Sequence, residues 1–208
     1  MSITPFATNA DYIQTELAWL TARTCRLHAQ HELREAEQEV DVRGTRLGRR
    51  HRPVAAEEAR RQVEVHRAEE KLLRSEIDAR LKVTRQAGVV VGLDSLCAEH
   101  GLNDNERLAL LTATVPCLGE GLTQRVLGKL DSYIVSSPSV EMLILLTEAE
   151  SVGDRLAVRA MFASSEVRLV RCGLVAMDFF NKEASPADLP GAQFSLTAST
   201  FNKIVGGE

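Results

Sequence analysis

Apolar residues recur at helical spacing along the first part of the chain, which predicts a long amphipathic helix. The repeat is carried by Ile13, Leu17, Leu20 and Leu27. Asn9 has the residue type and position of an N-cap, and Asp11 would lie in the first turn, where the helix dipole favours an anion. Trp19 lies off this stripe, so we expect it to pack against another element.

The apolar pattern thins after Arg26, and Gly44, Gly48 and Pro53 interrupt the helix. A second helix is predicted from Val54 or Ala55 to about Arg85. Its inward face would carry Val63, His66, Glu70, Leu73, Ile77 and Leu81. Two long helices with a short break fold back on each other, so residues 9–87 predict an antiparallel helical hairpin, or coiled-coil extension, whose opening helix packs on the body and whose outer half projects from it.

Residues 88–208 are richer in apolar residues and predict a separate compact domain built first from short helices. We expect Asp94 to cap a helix that ends at Gly101, and Asn103 or Asp104 to open the next. Ser139 would cap a central buried helix. The helices are expected at about 94–100, 106–115, 122–130, 140–149 and 155–162.

The last part of the chain predicts a small β-hairpin and a final helix. Strand character is found at Val167, Leu169 and 172–180, and Asn181–Gly191 reads as a turn. Phe194, Leu196 and Thr197 would form the returning strand, and Ser199 would cap a helix to Val205. The expected fold is therefore mainly α: a long antiparallel hairpin plus a winged-helix-like α+β domain with a small terminal β-hairpin.

Composition narrows the function classes. Aromatic residues make up only 4% of the chain, which favours a helical core of Leu, Val, Ile and Ala. The formal net charge of −4 argues against binding nucleic acid mainly through its phosphates. No two of the four cysteines have the C-x-x-C spacing, so we expect buried free thiols in a reducing compartment; they are Cys25, Cys97, Cys117 and Cys172.

The chain carries no segment that predicts export or membrane insertion. Residues 1–11 lack the basic start and apolar run of a signal peptide. The longest apolar run, Met142–Leu146, is far too short to cross a bilayer. These features predict a cytoplasmic protein.

Candidate chemistry is sparse. Gly128-Lys129 lacks the glycine spacing, hydroxyl and preceding strand of a phosphate loop. His28, His31, Glu32 and Glu35 lack the His-Glu-x-x-His pattern of a zinc protease, and solvated helix residues are the favoured interpretation. Ser95, Cys97 and His100 lie close in sequence without a nucleophile elbow, which favours core packing over catalysis. No catalytic residue, metal ligand or cofactor-binding residue is expected.

Basic residues cluster at the expected hairpin tip. A protein partner is favoured over nucleic acid there because no aromatic residue is available to stack on bases, although a solvated turn is the simplest interpretation. The candidate partner-binding residues are Arg43, Arg46, Arg49, Arg50 and Arg52, with His51 among them. Farther along the hairpin, charge pairs are expected between Glu32, Glu35, Glu37 or Glu39 and Arg60, Arg61 or Arg67.

The order of motifs resembles the winged-helix-like region that precedes the ATPase core in a group of bacterial AAA+ ATPases, some of which accompany contractile injection systems. The segments that carry the resemblance are 9–12 with 16–20, 96–102 with 105–107 and 110–111, 139–146, the spaced Arg155, Arg159 and Phe162, 167–174, and 194–206. The hairpin from about 26 to 86 is longer than that pattern, and the ATPase core is absent from these residues.

The resemblance implies a non-catalytic regulatory or adaptor domain that docks a substrate or partner for an ATP-driven remodelling machine. ATP and Mg²⁺ would bind only in a core outside this chain, and the full-length protein would form a homo-oligomer. The alternatives are a winged-helix transcription regulator with a helical dimerisation arm and a purely structural coiled coil. For the regulator, Val140–Ala149 is too apolar and acidic to enter a DNA groove, and Leu122–Leu130 with Arg125 and Lys129 is the better candidate.

Overall fold

A computed structural model describes residues 3–42, 52–130, 137–178 and 189–206, with the side chains of 39–42, 52–54 and 190 outside that description. The helices are α1 (Asn9–Val42), α2 (Arg52–Gln86), α3 (Gly92–His100), α4 (Asp104–Cys117), α5 (Glu120–Val126), α6 (Val140–Leu146), α7 (Val152–Ala160), α8 (Arg168–Arg171) and α9 (Ala198–Gly206). The strands are β1 (Val175–Asp178) and β2 (Gln193–Leu196), and a 3-10 turn covers Leu189–Gly191. The expected class, mainly helical with a small antiparallel sheet, is confirmed.

Helices α1 and α2 pack against each other as the predicted hairpin. Val63, Ile77 and Leu81 are buried on α2, on the face that was expected to turn inward. Trp19 is also buried, and the guanidinium of Arg74 on α2 lies over its ring. The second helix begins at Arg52, so Pro53 lies in its first turn and not before it. Proline is tolerated there because the first amides of a helix have no intrahelical acceptor.

The base of the hairpin shares the hydrophobic core of the body. Tyr12, Leu20 and Ile77 belong to the same buried cluster as Leu110 and Leu143. Farther out, residues 31–38 are exposed or half-buried. The opening helix therefore contributes to the body, while the division of the chain at residue 87 stays a prediction.

Asn9 does not cap α1. The Thr8 hydroxyl does so instead, accepting a hydrogen bond from the Asp11 amide at 3.1 Å. The Asn9 side chain donates to the Ile204 carbonyl at 2.7 Å and accepts from the Gly92 amide at 2.8 Å. Asn9 thus joins the starts of α1 and α3 to α9, because its amide can serve a donor and an acceptor at once.

The helices of the body follow the expected order with shifted ends. Helix α3 begins at Gly92, so Asp94 lies in its first turn and accepts hydrogen bonds from Arg85. Gly101 ends α3 in the left-handed conformation, as predicted. Asn103 and Glu106 form a reciprocal capping box at α4.

Two expectations for the C-terminal part are wrong. Residues 168–171 form the short helix α8, in which the Leu169 side chain is buried in the core, and Val167 keeps an extended conformation just before it. Thr197, and not Ser199, caps α9 by accepting from the Thr200 amide at 3.3 Å. The two strands are confirmed within narrower bounds, since Thr197 lies outside β2 and β1 begins at Val175. Strand β1 pairs antiparallel with β2, Val175 opposite Leu196.

The four cysteines are free, but the expectation that they are buried is wrong. Cys25 and Cys97 are half-buried, and Cys117 and Cys172 are exposed. Within the described residues, no helix is both long and apolar enough to span a bilayer.

Candidate protein-docking face

Helices α6 and α7 form a helix-turn-helix, and the short helix α8 separates it from the strands β1 and β2. Ser139 caps α6 by accepting from the Met142 amide at 3.1 Å, and Ser151 caps α7 by accepting from the Asp154 amide at 3.1 Å. The segment before α6 lies against β2, with the Phe194 amide donating to the Pro138 carbonyl at 3.0 Å. Capping and this backbone contact fix where both helices begin.

Glu148 forms the bend between α6 and α7. It has a φ of 54° and is the one non-glycine residue with a positive φ in the described part of the chain. Arg26 on α1 donates to its two carboxylate oxygens at 2.9 and 2.6 Å, and Arg23 lies 3.2 Å from it. The hydrogen bonds from Arg26 lower the pKa of Glu148, so its charged form holds the bend to the hairpin.

Arg23 and Arg26 also tie the two hairpin helices together. Both donate to the carboxylate of Glu70 on α2, at 2.7 and 2.5 Å. The Arg23 Nε–H donates to the Leu146 carbonyl at 2.6 Å, at the end of α6. This network of Arg23, Arg26, Glu70 and Glu148 places the helix-turn-helix at a set position on the hairpin.

We call Val152 and Leu156 on α7 the candidate docking face. Their exposed fractions are 74% and 56%, and they lie one turn apart on the same side of the helix. Val158 is the buried residue of α7. This spacing places the two exposed side chains next to each other on the surface of α7.

The arginines of α7 face the body. Arg155 donates to the Glu141 carboxylate at 2.6 Å, and Arg159 lies 3.9 Å from the same carboxylate. The second helix of a helix-turn-helix reads DNA by presenting cations and amides to the groove. Helix α7 instead presents valine and leucine, with both arginines paired.

Sequence reasoning missed α7 as the second helix of this motif. Of the two helices considered for DNA, Val140–Leu146 has five of its seven residues buried, and α5 ends at Val126, four residues earlier than expected. The signal available was Ser151 as a cap before Val152 and Leu156. The proposed partner-binding residues Arg43, Arg46, Arg49 and Arg50 lie outside the described residues, as does the side chain of Arg52.

The charged residues of the hairpin pair only partly as expected. Arg60 reaches Glu37 across the hairpin at 3.0 Å, as predicted. Arg61 and Arg67 pair within α2 instead, with Glu58 at 2.5 Å and Glu64 at 2.7 Å. Pairs three residues apart on one helix need less side-chain ordering than pairs between helices, which explains the difference.

The structure also places the histidines, the cysteine and the glycine that the sequence analysis considered for metal binding, catalysis or phosphate binding. His28 and His31 each approach their own glutamate one turn on, at 3.5 and 3.4 Å, and the described residues hold no group of three metal-ligating side chains. Burial raises the pKa of Cys97 to about 12, which keeps the thiol protonated. The Gly128 amide donates to carbonyls of α5, so this segment is a helix end.

A family model described as "Winged helix domain, variant" matches residues 1–208. No curated protein and no solved structure matches the chain. The family description names a fold and no ATPase, so the resemblance to AAA+ ATPases stays a prediction.

Proposed function

Because the chain belongs to the family of variant winged helix domains, we propose that it is a non-catalytic domain that docks a protein partner through α7. The observation that carries this is the exposure of Val152 and Leu156 on the helix that other helix-turn-helix domains use for recognition. A protein surface can cover two aliphatic side chains favourably because this removes apolar area from water, whereas the charged phosphates of a nucleic acid offer no apolar surface for it.

The ion pairs between the arginines of α7 and Glu141 favour a protein, rather than DNA, as the partner of this helix. A DNA-binding helix would need free cations, and Arg155 and Arg159 are both within ion-pair distance of one carboxylate. The net charge of −4 adds a repulsive term for nucleic acid. We therefore place the transcription-regulator function second.

We further propose that the machine served is an ATP-driven remodelling ATPase of the AAA+ class, acting in the cytoplasm, with this chain as its regulatory or adaptor domain. The resemblance of the opening helix and of residues 88–208 to such domains supports it. In this proposal nucleotide and Mg²⁺ bind in an ATPase core that these residues do not include, and ring assembly comes from that core.

The docking proposal is tested by replacing Leu156 with a photo-crosslinking amino acid in cells that naturally express the protein. We expect one defined protein adduct, containing an AAA+ core if the second proposal holds. The matched control places the same amino acid at Leu72, which is 69% exposed on α2. Equal labelling at both positions, or none at Leu156, would reject docking through α7.

Two assays separate the alternatives. A random DNA duplex should not shift with the purified chain at low salt, and a salt-sensitive shift would favour the regulator. The purified chain should not hydrolyse ATP above background, and steady turnover would refute the non-catalytic assignment. An open reading frame that continues past codon 208 into a strand, phosphate loop and helix would support the ATPase link.

A further inference from the structure

A groove of about 390 Å³ runs between α1 and the end of α6, next to the docking face. Its lining combines aliphatic side chains with polar and charged ones. The α1–α6 groove is lined by Leu27, His28, Gln30, His31, Arg34, Lys129, Leu130, Ile144, Leu145, Glu148, Ala149, Glu150 and Arg155. Its volume falls within the ~300–1,000 Å³ typical of pockets that hold a ligand.

Leu145 is the residue that marks this groove as a surface for contact. Its neighbours Ile144 and Leu146 are 1% and 0% exposed, whereas Leu145 is 45% exposed. It therefore leaves the core and opens into the groove, beside the half-buried Leu27 and Leu130. Covering such a cluster with another aliphatic surface is favourable because it removes apolar area from water.

The unpaired charges that line the groove are mainly positive. Arg34 and Lys129 both line the groove and are exposed, and neither has an ion-pair partner within the described part of the chain. The Glu148 carboxylate is already held by Arg26 and Arg23, which leaves Glu150 as the acidic side chain of the lining without such a partner. Among the described residues of the groove, an incoming segment thus meets two unpaired cations and one unpaired carboxylate.

We propose that the α1–α6 groove binds an acidic amphipathic helix of the protein partner. One face would carry leucine or isoleucine one turn apart to cover Leu145, and flanking aspartates or glutamates would meet Arg34 and Lys129. Among the described residues, no aromatic side chain lines the groove to stack on a base, which disfavours a nucleic acid there. This inference rests on the proposed docking function and names the chemistry of the partner.

The probe is a pair of fluorescein-labelled synthetic helical peptides with the same leucine spacing, one with glutamates and one with lysines at the polar positions. Fluorescence anisotropy with the full chain should show at least tenfold tighter binding of the glutamate peptide. Leu145→Asp should abolish that binding, and Lys129→Glu should weaken it about fivefold, since an exposed cation contributes about 1 kcal/mol.

Leu72→Asp is the matched control, because it introduces the same charge at an exposed leucine away from the groove. It should leave peptide binding unchanged, and urea unfolding should show all variants folded. Equal affinity for the two peptides, no binding at all, or binding insensitive to Leu145→Asp would overturn the inference. If the peptides fail these tests but crosslinking at Leu156 succeeds, docking through α7 stands and the groove proposal is rejected. If crosslinking at Leu156 fails but the glutamate peptide binds as expected, the groove binds a peptide and docking through α7 is rejected.

Discussion

Arg26 donates two hydrogen bonds to the carboxylate of Glu148, although 122 positions separate them in the chain. Arg26 lies on the hairpin and Glu148 at the bend of the helix-turn-helix, in a left-handed conformation that costs a non-glycine residue about 1 kcal/mol. The ion pair offsets that cost. It also makes the position of the docking face depend on the hairpin.

Arg26→Met should lower the free energy of unfolding by about 3 kcal/mol, because Glu70 and Glu148 lose a buried partner. Arg23 stays within reach of both carboxylates, which keeps the loss at the lower end of the range for buried pairs. Urea denaturation measures the change. Arg61→Met, at an exposed arginine paired with Glu58, is the control and should change stability by less than about 1 kcal/mol.

Acid should weaken the same contact. The pKa of Glu148 is lowered in the folded state by the hydrogen bonds from Arg26, so the folded chain binds fewer protons there than the unfolded chain. Its contribution is therefore complete above the unfolded pKa and is lost as pH falls through the folded pKa. Urea midpoints from pH 6 to pH 3 should fall less steeply for Glu148→Gln than for the parent.

Glu150→Gln provides the comparison for that experiment, since Glu150 is an exposed carboxylate two positions away. It should follow the parent curve. A Glu148→Gln variant whose midpoint falls as steeply as that of the parent would show that the ion pair does not stabilise the folded state.

Gly92→Ala should destabilise the protein by more than about 2 kcal/mol, since a β-carbon there would lie 2.0 Å from the Lys203 carbonyl oxygen. Backbone atoms of α9 cannot move aside without breaking the contacts of Asn9. Gly121→Ala is the matched change, because Gly121 lies in α5 and a β-carbon added there would contact no atom within 4 Å. This substitution should stabilise the protein by about 0.5–1 kcal/mol. Thermal unfolding of both variants tests the pair, and similar midpoints would contradict it.

Alkylation should distinguish the cysteines. Burial raises the pKa of Cys97 to about 12, so almost none of this thiol is ionised at pH 8. Iodoacetamide should modify the exposed Cys172 at least tenfold faster than Cys97, as followed by peptide mass spectrometry. Comparable rates in the folded protein would mean that Cys97 is more accessible than the structure shows, and urea should make the two rates converge.

Local sequence determined the parts of this protein that depend on neighbours along the chain. Helical spacing predicted the hairpin, Asn103 or Asp104 was expected to open α4, and Gly101 predicted the end of α3. Alternating apolar residues around Phe194 predicted the returning strand. These features have short-range causes, namely hydrogen bonds within one turn and the burial of one face.

Tertiary structure alone decided the rest. Asn9 resembles a cap but bonds to Gly92 and Ile204, and the strand-like residues at α8 are helical, with Leu169 buried in the core. The surface of α7 could not be predicted from the sequence, because it depends on the pairing of Arg155 and Arg159 with Glu141. Ion pairs and core contacts between distant residues leave no periodic pattern in the sequence, because they depend on which surfaces meet after the chain has folded.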